Sequence, residues 1–186
     1  GGLAKESFGG MFAVDTPEQR RAGIRDSVEQ ALADWNAFAE FGADDTWPRR
    51  WAKAYVEHCT PDMYWWLRGK GVRYFPVPNW VERGLYTPGN AFPRFHLVWG
   101  TGQRLAQVLI DHLAPHLASG RLTVRFRHRV EDLLTDGGAV TGCRGVSEED
   151  GTSFEVRADV VVIAAGGING SMERVRAHWH ADWGTP

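Results

Sequence analysis

Apolar residues at Val28, Leu32, Trp35, Phe38 and Ala39 recur at helical spacing and stop at Gly42, so the pattern predicts a long helix. Its start is written in Thr16-Pro17-Glu18-Gln19, with Thr16 as N-cap, Pro17 in the first helical position and Gln19 placed to close a capping box. Trp51, Ala54, Tyr55 and His58 predict a second helix. Thr60-Pro61-Asp62 repeats the cap-then-proline signal before Met63 to Arg68, which stops near Gly69 and Gly71. The prolines at 76, 78, 88 and 93 predict extended, looping backbone from Val72 to Phe95, on a surface or a cleft wall. Leu105 to Leu117 is helical again, with Leu105, Val108, Leu109 and Leu113 on one side and a stop at Ser119-Gly120.

The period then changes from helix to strand. Leu122 to His128 alternates, Asp136-Gly137-Gly138 and Glu149-Asp150-Gly151 are hairpin turns, and Ala139 to Val146 and Ser153 to Val156 are strands beside them. Asp159 to Ala165 is an unbroken β-branched and apolar run, which predicts a strand buried on both faces of a parallel sheet. The fold class is therefore α/β: a helical region followed by a β-meander and a terminal parallel strand.

Composition narrows the function classes. The net charge of -2 gives no basic field for nucleic acid or an anionic membrane surface. Cys59 and Cys143 form no CxxC, and no His or Cys stands at metal-ligand spacing, so neither a disulfide framework nor a zinc site is expected, and a reducing cytoplasm fits. Val160 to Ala165, the longest apolar run, is far short of the ~20 residues that cross a bilayer. Nine tryptophans are expected mainly in the core, with a broad aromatic cleft as the alternative. With no initiator Met and no evident terminal element, both ends read as cut, which points to an internal piece of a longer protein.

Three glycine-bearing segments are candidates for chemistry. Gly100-Thr101-Gly102, between a strand-like stretch and a helix, resembles part of a dinucleotide-binding turn. The third glycine of GxGxxG is replaced by Leu105 and no acidic residue ends a clear second strand, so a plain turn opening a helix is the better reading. Ala164-Ala165-Gly166-Gly167 closes the β-branched run, where small residues admit a ligand to the backbone or simply make a tight turn. The opening, from Gly2 and Ala4 through Ser7 to Gly9 and Gly10, lets backbone run close to a flat or anionic ligand; a flexible end is the plainer reading of those residues alone.

Taken in series, the segments GLAxxSxGGxFxVDTPEQRRxGIRDS (Gly2 to Ser27), WPRRWAxAYV (Trp47 to Val56), WLRxxGVRYFPV (Trp66 to Val77), PRFHLVWGTG (Pro93 to Gly102), VRFRHRVEDLL (Val124 to Leu134) and VVVIAAGG resemble the FAD-binding dehydrogenases of the fumarate reductase and 3-ketosteroid dehydrogenase superfamily. The resemblance covers nearly the whole chain. It implies a partial glutathione-reductase-like FAD-binding domain: residues 1–15 as a flavin-contacting loop, 16–119 as a helical excursion and 120–186 as strands of the FAD domain. It also implies that Ala4, Ser7, Gly9 and Gly10 approach the isoalloxazine or ribityl-pyrophosphate, that the backbone of Val130 meets the adenine, and that Ala164 to Gly167 allow close approach, with Ala165 where the family carries threonine. The family's opening GxGxxG strand-turn-helix and its substrate-capping domain have no counterpart in these residues, so the chain alone is expected to be inactive. The implied parent reaction is hydride transfer to or from a carbon–carbon bond beside a carbonyl or carboxylate, on a steroid-like or dicarboxylate substrate.

Arg94 and His96, close together in the proline-rich stretch, are weak candidates for holding a carboxylate or enolate and moving a proton. Tyr64, Tyr74 and Tyr86 are weaker candidates for general acids. The Arg125 to Arg129 run reads as a solvated strand face. Two rival readings remain: a small NAD(P)-binding Rossmann-like protein using Gly100 to Leu105, and a non-catalytic interaction module.

Overall fold

The computed structural model describes residues 2–80 and 88–186, and the chain divides into two compact units, Gly1–Thr123 and Val124–Pro186. Tyr86 lies outside the described residues.

The first unit is mainly helical. A 3-10 turn (Gly2–Glu6) leads into β1 (Met11–Phe12), followed by α1 (Pro17–Arg21), α2 (Val28–Ala39) and α3 (Thr46–His58). The Thr16 capping box forms as its residue types require: Thr16 accepts from the Gln19 N–H and Gln19 returns a bond to the Thr16 N–H. The expected long helix is nevertheless two helices. Gly23 turns left-handed at φ +78°, and Ser27 opens α2 by capping the Gln30 N–H, so a second local cap overrides continuity.

No cap forms at Thr60. Its hydroxyl instead donates to Val14 O at 2.5 Å and accepts from Val14 N–H at 3.1 Å, and the chain passes from α3 through a π-helical turn (Cys59–Tyr64) into α4 (Trp65–Gly69). Pro61 has no N–H for the carbonyl four residues back and its ring crowds that carbonyl; the wider turn relieves both. After β2 (Phe95–His96), which pairs antiparallel with β1, the helix expected over Leu105 to Leu117 is divided into α5 (Thr101–Asp111) and α6 (Ala114–Ala118), with Pro115 in the first turn of α6.

The core consists of two adjoining groups. Ala13, Tyr64, Leu67, Val72, Tyr74, Val98 and Val108 form one; Val14, Ala31, Val56 and Cys59 form the other. The tryptophans do not build it, contrary to expectation: of the nine, only Trp35 is not exposed. On α3 and α4 the inward positions belong to Ala52, Val56 and Leu67, which leaves Trp47, Trp51, Trp65 and Trp66 on the outer side. Cys59 and Cys143 are free thiols, and burial pushes that of Cys59 above its usual range.

The second unit is an antiparallel meander, β3 (His128–Asp136), β4 (Ala139–Ser147) and β5 (Ser153–Arg157), in that order, followed by α7 (Met172–Ala177). Both hairpin turns lie where their glycines predict. Residues 122–127 are not strand; Arg127 sits at φ +54° and pairing begins at His128. The larger correction concerns Asp159 to Ala165. This run forms no strand, and Val160, Val162 and Ile163 are 77%, 83% and 68% exposed. A buried parallel strand exists only through its neighbours, and among the described residues none pairs with this one.

Candidate functional site

The opening loop is held rather than free. Ser7 Oγ donates to Ala4 O at 2.8 Å and accepts from Gly9 N–H at 3.1 Å, which closes residues 4–9 into a compact turn. The loop docks on the start of α5, where the Gly102 N–H donates to Ser7 O at 2.8 Å. Positions 102 and 9 are glycines because nothing larger fits. A β-carbon on Gly102 would collide with Ala4 O and Ser7 Oγ, and one on Gly9, itself at φ +64°, would meet the Gly102 N at 2.9 Å. Gly10 likewise lies flush against the Phe95 ring, which occupies the space a side chain there would need. Outward, residues 2–8 stay exposed, presenting a fixed backbone with almost no side-chain bulk at Gly2 and Ala4.

This docking explains the Gly100-Thr101-Gly102 turn. Gly100 at φ +90° and Thr101 at φ +60° both adopt the left-handed region, which strains a β-branched residue. The strain persists because the Thr101 N–H is bound to Val98 O and the Gly102 N–H to Ser7 O. The second glycine thus receives the chain's own loop, not a pyrophosphate, which removes the main support for the nicotinamide-dinucleotide reading. Sequence inspection found the glycine but not its partner, 95 residues back; the absent third glycine was the available signal.

Arg94 and His96 are bonded to the chain's own residues. Both are buried, and Arg94 binds Asp26 through two parallel bonds of 2.7 Å and Asp34 through a third of 2.7 Å. Burial alone would lower the Arg94 pKa; its bonds to the two carboxylates raise it instead, so it remains a cation. Gln19 joins the cluster by donating to Asp26 at 2.9 Å and Pro93 O at 3.0 Å. His96 Nδ1 lies 2.8 Å from Arg94 O, which can only accept, so Nδ1 carries the proton and Nε2 accepts from the Thr16 hydroxyl at 2.7 Å. Burial holds the imidazole below its ordinary range, which keeps this neutral tautomer.

Tyr64 and Tyr74 are likewise interior. Tyr64 donates to Glu18 Oε2 at 2.5 Å, and burial with that acceptor keeps its phenol protonated well above the usual range. Tyr74, stacked on Tyr64 at 4.9 Å, is pushed up to about 12 by burial. Every buried side-chain polar atom among the described residues has a partner, so this is a satisfied structural network.

In the second unit Val130 is half-exposed on β3, one of the two edge strands of the meander, opposite Gly145 and beside a bulge at Glu131. An edge strand keeps one row of backbone donors and acceptors unpaired, which suits recognition through main chain. Gly145 is required there, since a β-carbon would collide with Arg129 O. Ala164, Ala165, Gly166 and Gly167 are exposed and outside any helix or strand, with Gly166 at φ +77° and open space around both glycines. Arg127 and Arg129 pair with Glu149, Glu131 and Glu148 at the surface. Among the described residues no helix is long and apolar enough to cross a membrane, and no group of three or more His, Cys, Asp or Glu is placed to hold a metal ion.

The chain is 44% identical over 198 residues to a KsdD-like steroid dehydrogenase of Mycobacterium tuberculosis and 43% identical over 201 residues to one of Mycolicibacterium smegmatis, covering 96% and 99% of this chain. It is 26% identical over 175 residues to an NADH:fumarate oxidoreductase of Klebsiella pneumoniae, covering 94% of this chain and 17% of that protein. The chain spans 34% and 36% of the two steroid dehydrogenases, about a third of their length. Among solved structures it is similar in fold to Mycobacterium smegmatis Sdh1 in complex with UQ1, with a TM-score of 0.66 and 22% identity over 89% of this chain and 28% of that one. The FAD binding domain family model matches residues 1–185, nearly the full chain, and the protein belongs to that family.

Proposed function

We propose that this chain supplies flavin-contacting backbone to an FAD-dependent dehydrogenase or reductase. The observation that carries the reading is the opening loop, fixed from behind by Gly102 and Phe95 while its outer side stays open. Such a loop fits a flat, polyanionic group: Gly2 and Ala4 offer close approach, Gly9 and Gly10 seat the loop so that its outer backbone faces the group, and the Ser7 hydroxyl shapes the turn. The edge backbone at Val130 receives the adenine, and Ala164, Ala165, Gly166 and Gly167 admit the cofactor without side-chain obstruction. Residues 1–15 are then the flavin loop, 16–119 the helical excursion and 120–186 the remainder of a glutathione-reductase-like domain.

When bound, FAD supplies hydride transfer to or from a carbon–carbon bond beside a carbonyl or carboxylate. The chain's residues orient it and restrict water around it. Arg94, His96, Tyr64 and Tyr74 hold the scaffold and leave the proton to another group. A steroid-like substrate is favoured over a dicarboxylate by the higher identity to the steroid dehydrogenases. A reducing cytoplasm suits the chain's two free thiols.

The test is visible spectroscopy of the protein mixed anaerobically with a 3-ketosteroid or with succinate. Bleaching of a bound flavin by the steroid supports the reading. Protein without flavin absorbance, stabilised by NAD(P) and not by FAD, overturns it.

A further inference from the structure

A short ladder joins residues 72–75 to 97–99: the Trp99 N–H donates to Arg73 O at 2.8 Å, Phe75 N–H to Leu97 O at 2.8 Å, and Tyr74 bridges Val98. Side chains alternate across extended backbone, so Val72, Tyr74 and Val98 enter the core while Arg73, Phe75 and Trp99 face outward. Phe75 stacks on one face of Trp99 at 4.7 Å, and Trp99 remains 57% exposed. Near the start of α5, Arg104 completes a cavity of about 370 Å³ lined by Gly71, Arg73, Trp99, Gly100 and Arg104. Gly100 lets Arg104 lie there, because a β-carbon at that position would press on Arg104 Cβ at 2.7 Å.

The lining holds two cations and no anion, and among the described residues neither guanidinium is hydrogen-bonded. We propose that this cavity binds a small anion carried on a flat aromatic ring, with a phosphate or carboxylate between Arg73 and Arg104 and the ring against Trp99. Two guanidiniums facing one cavity repel until an anion joins them, and their planar forks match phosphate and carboxylate. The indole offers a flat surface for the ring. At about 370 Å³ the site is near the small end of ligand pockets, sized for one anionic group on one or two rings and too small for a dinucleotide. Its lining shares no residue with the proposed flavin surface.

Calorimetric titration with 1-naphthyl phosphate, inorganic phosphate and 1-naphthol tests the assignment, in the unaltered protein and in Arg73→Ala, Arg104→Ala and Trp99→Ala. All three positions are exposed, and circular dichroism checks that each variant keeps the fold. We expect saturable binding of naphthyl phosphate, about tenfold weaker in either arginine variant, as loss of one charge-assisted contact implies. Trp99→Ala should reduce its affinity to that of inorganic phosphate, and saturating FAD should leave it unchanged in the unaltered protein. No saturable binding, full affinity in both arginine variants, equal affinity for inorganic phosphate in the unaltered protein, or competition by FAD would each overturn the proposal.

Discussion

Gly102 gives its N–H to the carbonyl of Ser7 at 2.8 Å, and the absence of a side chain at 102 is what lets the two segments touch. Gly102→Ala places a methyl group against Ala4 O and Ser7 Oγ. Because the neighbouring atoms are largely backbone, the loop must move away, and the expected loss is about 1–3 kcal/mol, as for other overpacked sites. Urea denaturation measures that loss, and limited proteolysis should cut first between residues 2 and 10. Unchanged stability with an intact loop would show that the close packing is unimportant.

Arg94 is expected to matter for folding. Arg94→Met removes three hydrogen bonds and leaves Asp26 and Asp34 as unpaired buried carboxylates. The expected destabilisation is about 3–5 kcal/mol, the usual effect of breaking a buried pair from one side. Arg94→Lys should recover only part of it, because an ammonium cannot make the two parallel bonds to Asp26. A variant as stable as the parent that lost only turnover would return Arg94 to the substrate site.

His96 is predicted to make stability fall on mild acidification. Its folded pKa lies below the ordinary 6.5 chiefly because it is buried, with Glu18 and Asp26 opposing that shift in part. A depressed folded pKa means that the contribution is fully present above pH 6.5 and is lost as pH falls toward the folded value. Melting temperatures of the parent and His96→Asn, measured across that window, should show the steeper acid loss in the parent. Parallel curves would mean that His96 stays neutral in both states or charges in both.

Local signals were legible in the sequence and long-range ones were not. The Thr16 capping box, α3 and the two hairpin turns depend on residues within a few positions of each other, and all formed as their types require. The long-helix reading failed because Ser27 is as good a cap as Thr16, a competition that apolar periodicity does not register. Residues 159–165 have strand composition, but composition does not supply a neighbouring strand. Arg94 looked available for a ligand because its partners lie 68 and 60 residues away, at Asp26 and Asp34. The docking of Ser7 on Gly102 was hidden for the same reason.

The proposed function assigns FAD contacts to the opening loop, to the β3 edge and to residues 164–167. Amide hydrogen exchange, followed by peptide in the FAD-loaded protein and in its apo form, tests this most directly. The account predicts slowed exchange over residues 4–10, around Val130 and over residues 164–167, with α3 unchanged. Stoichiometric FAD binding that leaves residues 4–10 exchanging as fast as in the apo protein would contradict it.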